Sequence, residues 1–122
     1  MLMRTLVLAV LGACSVLISG PLQGQSQQEM NAQSRKDLEM ADVQLNALYQ
    51  KVLKRLPDEK AGALLRKAQR AWIGFRDAEA ALYADAMRGG SAAPLLYNGR
   101  KTQLTKERIK HLQMLLQQYG DR

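Results

Sequence analysis

Apolar residues recur at helical spacing in three separate blocks of the chain. The first block places its apolar side chains at intervals of three and four residues: Leu38, Ala41, Leu45, Leu48 and Val52. This repeat lines one face of an α-helix, and it predicts a helix from about residue 28 to about residue 55. Pro57 and Asp58 end that helix, and Asp58 is suited to cap the first amides of the next one.

The second block predicts a helix that runs to about Met87. The side chains predicted to be buried in it are Leu65, Ala68, Trp72, Phe75 and Leu82. Gly89 and Gly90 then end the helix, because glycine readily adopts the left-handed conformation of a helix terminus. Gly74 lies inside the predicted helix, where glycine costs about 1 kcal/mol relative to alanine. Either the close approach of another helix or a tolerated surface position explains it.

The third block follows a predicted loop over residues 91–94 and ends at Gly120. Its apolar residues at approximately helical spacing are Leu104, Ile109, Leu112, Leu116 and Tyr119. No segment alternates between apolar and polar residues over a useful length, so β-strands are not predicted. We therefore predict a small all-α domain of three helices, in which long antiparallel neighbours are joined by short loops.

The first residues predict a targeting segment. Residues 1–4 form a short basic leader, and residues 5–18 form an apolar run too short to cross a hydrocarbon core of about 30 Å. This pattern predicts a secretory signal peptide over residues 1–26, followed by a helical domain over residues 27–122. Cys14 ends a lipobox-like Leu-Gly-Ala-Cys sequence, which leaves lipoprotein processing open as an alternative. We expect an exported protein, periplasmic or extracellular, whose mature chain has no transmembrane helix.

The charge balance constrains the partners of the protein. The chain has 18 Lys and Arg against 11 Asp and Glu, a net charge of +7. Because the predicted leader contains only one of these charges, Arg4, the mature chain keeps a net charge of +6. Such a protein favours anionic partners, and it binds a basic protein only where acidic residues are locally concentrated. Export and the lack of a recognisable nucleic-acid-binding module argue against nucleic acid.

Few residues have the chemistry of a catalytic site. His111 is the only histidine, and no serine or cysteine nucleophile is linked to it by a motif. No His, Cys and carboxylate cluster has metal-ligand spacing, and no glycine-rich phosphate loop occurs. We therefore predict a protein that is not an enzyme and needs no cofactor or metal.

Three stretches of the sequence match one known family in order. The first comprises Glu29-Met30-Asn31, Ala41-Asp42, Leu45-Asn46 and Tyr49. The second comprises Leu65, Ala68-Gln69-Arg70-Ala71-Trp72 and Phe75-Arg76-Asp77-Ala78. The third comprises Gly90-Ser91, Pro94, Leu104-Thr105 and Arg108. Together they cover nearly the whole predicted mature chain, which resembles the LprI-type lysozyme inhibitor family. The resemblance implies an exported, all-helical domain of the bacterial envelope that inhibits lysozyme.

The chain departs from that family at Gln33, Ala80 and Arg100, where the family usually has cysteine. The resemblance therefore implies that the disulfide framework of the family is absent here as a set. A disulfide in a small secreted domain typically contributes about 2 to 5 kcal/mol, so packing between the helices must supply this stability instead.

Six polar and aromatic residues within the matched stretches are the candidate structural or partner-binding residues: Asp42, Asn46, Arg70, Trp72, Arg76 and Asp77. We predict that Asp42 pairs with an arginine of the second helix and fixes the register of the two helices. The alternative is that some of these side chains, with Trp72, line a surface that binds a partner. The nearest candidates for an acidic patch that meets a basic partner are Asp77, Glu79 and Asp85.

Three hypotheses on function follow from these observations. The first is an exported envelope protein that binds lysozyme and occludes it without chemistry. The second is an envelope module that binds anionic cell-wall or lipid components. The third is a structural envelope protein that has no direct ligand.

Overall fold

The computed structural model describes residues 26–120, which form three α-helices and no strand. They are α1 (Gln27–Arg55), α2 (Glu59–Asp85) and α3 (Ala93–Gly120). The predicted all-α fold of three long helices is confirmed. The predicted signal peptide, including Cys14, lies outside the described residues except for Ser26. Over residues 26–120, no helix is long and apolar enough to cross a membrane.

Side-chain caps fix the starts of α1 and α2, and a left-handed glycine lies in the turn that follows α2. The side chain of Ser26 accepts a hydrogen bond from the backbone N–H of Glu29 at 3.1 Å. Asp58 caps α2 as predicted, because its Oδ1 accepts from the backbone N–H of Ala61 at 2.8 Å. After α2, Gly89 has a φ of +76°, a left-handed conformation that favours glycine.

The connection between α2 and α3 begins and ends about two residues earlier than predicted, because α2 ends at Asp85 and not at about Met87. The sequence suggested a loop over residues 91–94, whereas α3 begins at Ala93 and includes Pro94 in its first turn. Proline is tolerated there because the first amides of a helix have no partner within the helix. Consequently, α3 already spans more than two turns before its first predicted apolar residue, Leu104.

Contacts at the two ends of the bundle define the directions of the helices. Near the start of α1 and α3, Asn31 Nδ2 donates to the carbonyl of Ser91 at 3.1 Å, and Asn98 Nδ2 donates to Ser34 Oγ at 3.3 Å. Near their ends, Arg55 donates to the carbonyl of Gly120 at 2.9 Å. Helices α1 and α3 are therefore parallel, and α2 runs antiparallel to both. α3 packs against both α1 and α2.

The hydrophobic core draws on all three helices. Its buried residues are Leu45 and Val52 of α1, Leu65 of α2 and Leu112 of α3. Val52 and Leu112 have no exposed surface. The other members of the predicted apolar face of α1 are also buried or half-buried, which confirms that prediction: Leu38, Ala41 and Leu48.

The predicted buried side of α2 is wrong at three of its five positions. Phe75 is 55% exposed, Leu82 is 71% exposed, and Ala68 is also exposed. Leu65 is buried, and Trp72 is half-buried against the core. The side of α2 that faces the bundle consists instead of Gly62, Leu65, Gln69, Arg76, Ala80 and Ala84.

Hydrogen bonding and side-chain size explain this difference. Successive residues of a helix point about 100° apart, so Phe75 and Arg76 cannot both face the bundle centre. Arg76 takes the inner position because α1 and α3 supply acceptors for its guanidinium. Further along, Ala80 and Ala84 are buried and leave room for the neighbouring helices to approach. Hydrophobicity alone therefore selects the wrong side of this helix.

Gly74 occupies a surface position. It is exposed, and no atom outside its own turn of helix lies within 4 Å of the place that a Cβ would take. Of the two explanations for a glycine inside α2, the close approach of α1 or α3 is therefore wrong.

Candidate functional site

Arg76 connects all three helices near the middle of the bundle. Its side chain is 9% exposed, and its Nη1 donates to Asp42 Oδ1 of α1 at 2.8 Å. The same nitrogen donates to Thr105 Oγ1 of α3 at 3.3 Å, and Nε donates to the neighbouring Asp77 at 3.0 Å. The structure thus contains the predicted pair between Asp42 and an arginine of α2. A charge this buried requires such partners, because water cannot solvate it.

Two residues of α3 complete this network. The hydroxyl of Thr105, which is fully buried, donates to the carbonyl of Lys101 at 2.7 Å and so accepts from Arg76 through a lone pair. Lys101 Nζ lies 3.4 Å from Asp77 Oδ1. Asp77 is therefore held between two cations, and this arrangement fixes α2 against α3.

Trp72 lies beside two guanidinium groups. The Cζ of Arg76 is 5.2 Å from the centroid of its ring, and the Cζ of Arg108 is 6.0 Å from it. Both distances fall within the range of cation–π attraction. Arg108 Nε also donates to Gln69 Oε1 of α2 at 2.9 Å. Burial lowers the pKa of the Arg108 guanidinium, which nevertheless stays protonated.

A second ion pair joins α2 and α3 nearer to their connecting loop. Arg100 Nη2 lies 3.1 Å from Glu79 Oε1, and its Cζ lies 5.7 Å from the centroid of the Tyr83 ring. Ala80, next to Glu79, is fully buried. An ion pair and close packing thus occur at two of the positions where the resemblance implies a missing cysteine. The third such residue, Gln33, is exposed and donates to Asp37 at 2.9 Å.

Four of the six candidate residues are brought together and two are not. Asp42, Trp72, Arg76 and Asp77 belong to the network around Arg76. Asn46 lies one turn further along α1 and is exposed. Arg70 is exposed and forms no ion pair within residues 26–120.

Four residues of this network were not among the candidate site residues predicted from the sequence: Gln69, Lys101, Thr105 and Arg108. For two of them, Gln69 and Thr105, the spacing in the sequence already indicates an inward position. Gln69 lies seven residues before Arg76, and Thr105 lies seven residues before the fully buried Leu112. Residues seven apart share a helix face, so both polar side chains occupy inward positions.

Charge is distributed unevenly along the bundle. We call residues 26–46 and 72–105 the mixed end, and residues 47–71 and 106–120 the basic end. The mixed end has seven acidic and six basic residues, whereas the basic end has three acidic and ten basic residues. Most of the excess positive charge of the protein is therefore confined to one end.

The carboxylates of the mixed end differ in their accessibility to a partner. Four of them pair with cations of the same chain: Asp42 with Arg76, Asp77 with Arg76 and Lys101, Glu79 with Arg100, and Asp85 with Arg88. Glu29, Asp37 and Glu39 of α1 are exposed and form no ion pair within the described part of the chain. The most accessible acidic groups thus lie on α1, rather than at the Asp77, Glu79 and Asp85 positions considered from the sequence.

No arrangement of metal ligands occurs among residues 26–120. No three His, Cys, Asp or Glu side chains of this range come together in a way that could hold a metal ion. His111 lies exposed on α3.

Comparison with known proteins relates the sequence to one family. The sequence profile of the family described as lysozyme inhibitor LprI matches residues 20–112, which include all of α1 and α2 and most of α3. An uncharacterized protein of Rhizobium meliloti (strain 1021) is 39% identical over 104 residues, with 75% of each chain covered. No solved structure gives a significant match.

Proposed function

The chain belongs to the LprI family of lysozyme inhibitors, and on that basis we propose that it binds lysozyme and occludes its cleft without chemistry. Lysozyme cleaves a glycan between two carboxyl groups, so a protein that covers this cleft blocks the substrate. The match to the family over residues 20–112 is the observation that supports this function. We also propose that residues 1–26 direct export and leave residues 27–122 as the mature domain, periplasmic or extracellular.

Charge favours the mixed end as the surface that meets lysozyme. Many lysozymes are basic, and the basic end of this protein would be repelled by such a partner. On the mixed end, the exposed Glu39 lies beside Met40, which is 64% exposed, and one turn before Val43, which is 70% exposed. Apolar side chains next to accessible carboxylates are suited to bind a basic protein surface. We therefore assign the contact to this side of α1.

A charge reversal on α1 tests this assignment. With a basic lysozyme, we expect the purified natural chain to inhibit cell-wall hydrolysis at micromolar concentration. Glu39→Lys should weaken inhibition about tenfold, because it replaces an attractive group in the contact with a repulsive one. The measurement is the inhibition constant in a lysozyme turbidity assay at several salt concentrations.

Glu107→Lys is the matched control for Glu39→Lys. Glu107 is also exposed on a helix and has no ion pair within residues 26–120, but it lies on the basic end. The two variants have the same net charge, so only the position of the change differs. We expect Glu107→Lys to change the inhibition constant less than twofold. Equal losses in both variants would refute the assignment to α1, and no inhibition by the natural chain at any salt concentration would refute the function itself.

The basic end supports a second candidate function, binding to anionic cell-wall or lipid components. Ten cations against three carboxylates at one end form a field that attracts polyanions. This hypothesis predicts that the protein sediments with phosphatidylglycerol vesicles and not with phosphatidylcholine vesicles, and that salt releases it. Lys67→Glu, at an exposed residue of the basic end, should reduce this binding while Lys36→Glu on the mixed end should not. Equal binding to both kinds of vesicle would argue against it.

A further inference from the structure

An apolar stripe runs along the solvent side of α2. It consists of six exposed residues at alternating intervals of four and three: Leu64, Ala68, Ala71, Phe75, Ala78 and Leu82. Leu64 is 60% exposed, Phe75 is 55% exposed and Leu82 is 71% exposed. We call these six residues the outer seam. It extends about 27 Å along the helix at 1.5 Å per residue.

The outer seam is more apolar than the side of α2 that faces the bundle. The inner side includes Gln69 and Arg76, whereas the outer seam contains only alanine, leucine and phenylalanine. An interval of four and three repeated without interruption is the spacing by which one helix packs along another. Contiguous exposed apolar surface of this kind typically belongs to an interaction site.

We propose that the outer seam pairs with the outer seam of a second copy of this chain, in an antiparallel dimer about a two-fold axis near Ile73. Such an arrangement places Leu64 of each copy beside Leu82 of the other, because the two residues are equally distant from the axis. It likewise places Ala71 beside Phe75. Each large side chain near the centre thus meets a small one, which allows the two seams to interlock.

Small residues along α2 permit the two helices to approach closely. Three of the six seam residues are alanine, and Gly74 lies beside the seam with open space around it. Helix pairs with small residues at the contact reach the shorter interaxial distances of about 8 Å. Pairing at the outer seam would therefore give Gly74 a neighbour that the single chain does not provide.

Charges beside the seam favour the antiparallel direction. Lys60 and Asp85 are exposed, and both project on the flank of the seam that also includes Gly74. Asp85 lies beside its ion-pair partner Arg88, which is also solvent-accessible. In the antiparallel pair, Lys60 of each copy lies opposite Asp85 of the other. In a parallel pair, Lys60 and Asp85 would stay at opposite ends of the interface, about 37 Å apart at 1.5 Å per residue, and could not meet. The antiparallel direction also sets the basic end of each copy beside the mixed end of the other, which reduces the repulsion between two basic proteins.

The dimer is independent of the proposed inhibition of lysozyme. The outer seam lies on α2, whereas the surface assigned to lysozyme lies on α1 around Glu39. A seam formed by one helix per copy is smaller than a standard protein interface, so we expect a reversible dimer with a micromolar dissociation constant. Failure of the dimer would therefore leave the inhibition untouched, and the reverse also holds.

Sedimentation equilibrium of the natural chain tests the proposal over micromolar to millimolar concentrations. We expect the mass to rise from one chain to two with concentration. Ala71→Glu introduces a charge at the centre of the seam, at an exposed site where the single chain should tolerate it, and should weaken dimerisation at least tenfold. Val43→Glu is the matched control on α1, 70% exposed in the single chain, and should leave the dissociation constant unchanged.

Exchanging the charges of Lys60 and Asp85 tests whether the two α2 helices of the dimer are antiparallel. Lys60→Glu or Asp85→Lys alone should weaken the dimer roughly fivefold, because each creates two like-charge contacts. The double variant that combines Lys60→Glu with Asp85→Lys should dimerise with the dissociation constant of the natural chain, since opposite charges again face each other. A natural chain that stays monomeric, or an Ala71→Glu variant that dimerises normally, would overturn the proposal. A double variant that stays weak would overturn the antiparallel direction.

Discussion

Replacing Leu112 with alanine should lower the free energy of unfolding by about 3 kcal/mol. Leu112 is fully buried and is the member of the core cluster that α3 supplies, beside Leu45 and Val52 of α1 and Leu65 of α2. Its truncation removes apolar contacts with two other helices and leaves a cavity that three long helices cannot easily close. Because the structure shows no disulfide within residues 26–120, no cross-link compensates for this loss.

The loss should appear as a decrease in Tm of roughly 10 to 20 °C for a domain of this size, measured by circular dichroism at fixed protein concentration. Met114→Ala is the matched control, since Met114 lies two residues away on the same helix and is 65% exposed. Its effect should stay within about 0.5 kcal/mol. Similar losses for the two variants would contradict the packing described for α3.

The sequence was sufficient to predict the fold because helix periodicity and capping agree along most of the chain. The apolar positions of α1 from Leu38 to Val52 face the core as expected, and α1 ends at Arg55 as predicted. Asp58 caps α2, and Gly89 adopts the left-handed conformation beyond its end. In these places, a single local cause determines the structure, and that cause can be recognised from the residue types.

The buried side of α2 could not be predicted in the same way, because this helix has two competing sides. The side with Phe75 and Leu82 is the more hydrophobic, yet the side with Gln69 and Arg76 faces the bundle. What decides between them lies on other helices, where Asp42 and Thr105 supply the acceptors that Arg76 needs. A hydrophobic pattern contains no information about such partners.

The candidate site could be predicted only in part, again because the partners that orient α2 lie on other helices. An ion pair from Asp42 to α2 was expected from the sequence, but Arg70 and Arg76 were equivalent until the rotation of α2 was known. Thr105 was missed because a buried threonine between Leu104 and Leu112 resembles an ordinary helix residue. Its role depends on its hydroxyl, which donates to Lys101 and accepts from Arg76.

Removal of the Arg76 side chain should be about as costly as a large truncation in the core. We expect Arg76→Ala to lower the free energy of unfolding by about 3 kcal/mol, since it removes the bonds to Asp42, Asp77 and Thr105 together. It also removes the group packed against the ring of Trp72. Urea unfolding measures this loss. Arg70→Ala is the matched control, because Arg70 is exposed on the same helix, and its effect should stay within about 0.5 kcal/mol.

Asp42→Ala should cost less than Arg76→Ala, about 1 to 2 kcal/mol, because Arg76 retains Asp77 as a partner and the Asp42 side chain is 37% exposed. The double variant Asp42→Ala and Arg76→Ala should lose less stability than the two single losses added together, since both remove the same ion pair. Strict additivity would mean that the ion pair between Asp42 and Arg76 contributes nothing to the stability of the fold.

The same variants separate a structural role of the network from a role in binding. If Asp42 and Arg76 only hold the helices in register, each variant should inhibit lysozyme as strongly as the natural chain at a temperature where it remains folded. Inhibition should then depend on Glu39 and not on Asp42, although the two lie within one turn of α1. An Asp42→Ala protein with natural stability but without inhibition would instead place the network itself in the contact with lysozyme. Because Arg76 is buried and hydrogen-bonded to Asp42, Asp77 and Thr105, we expect the structural outcome.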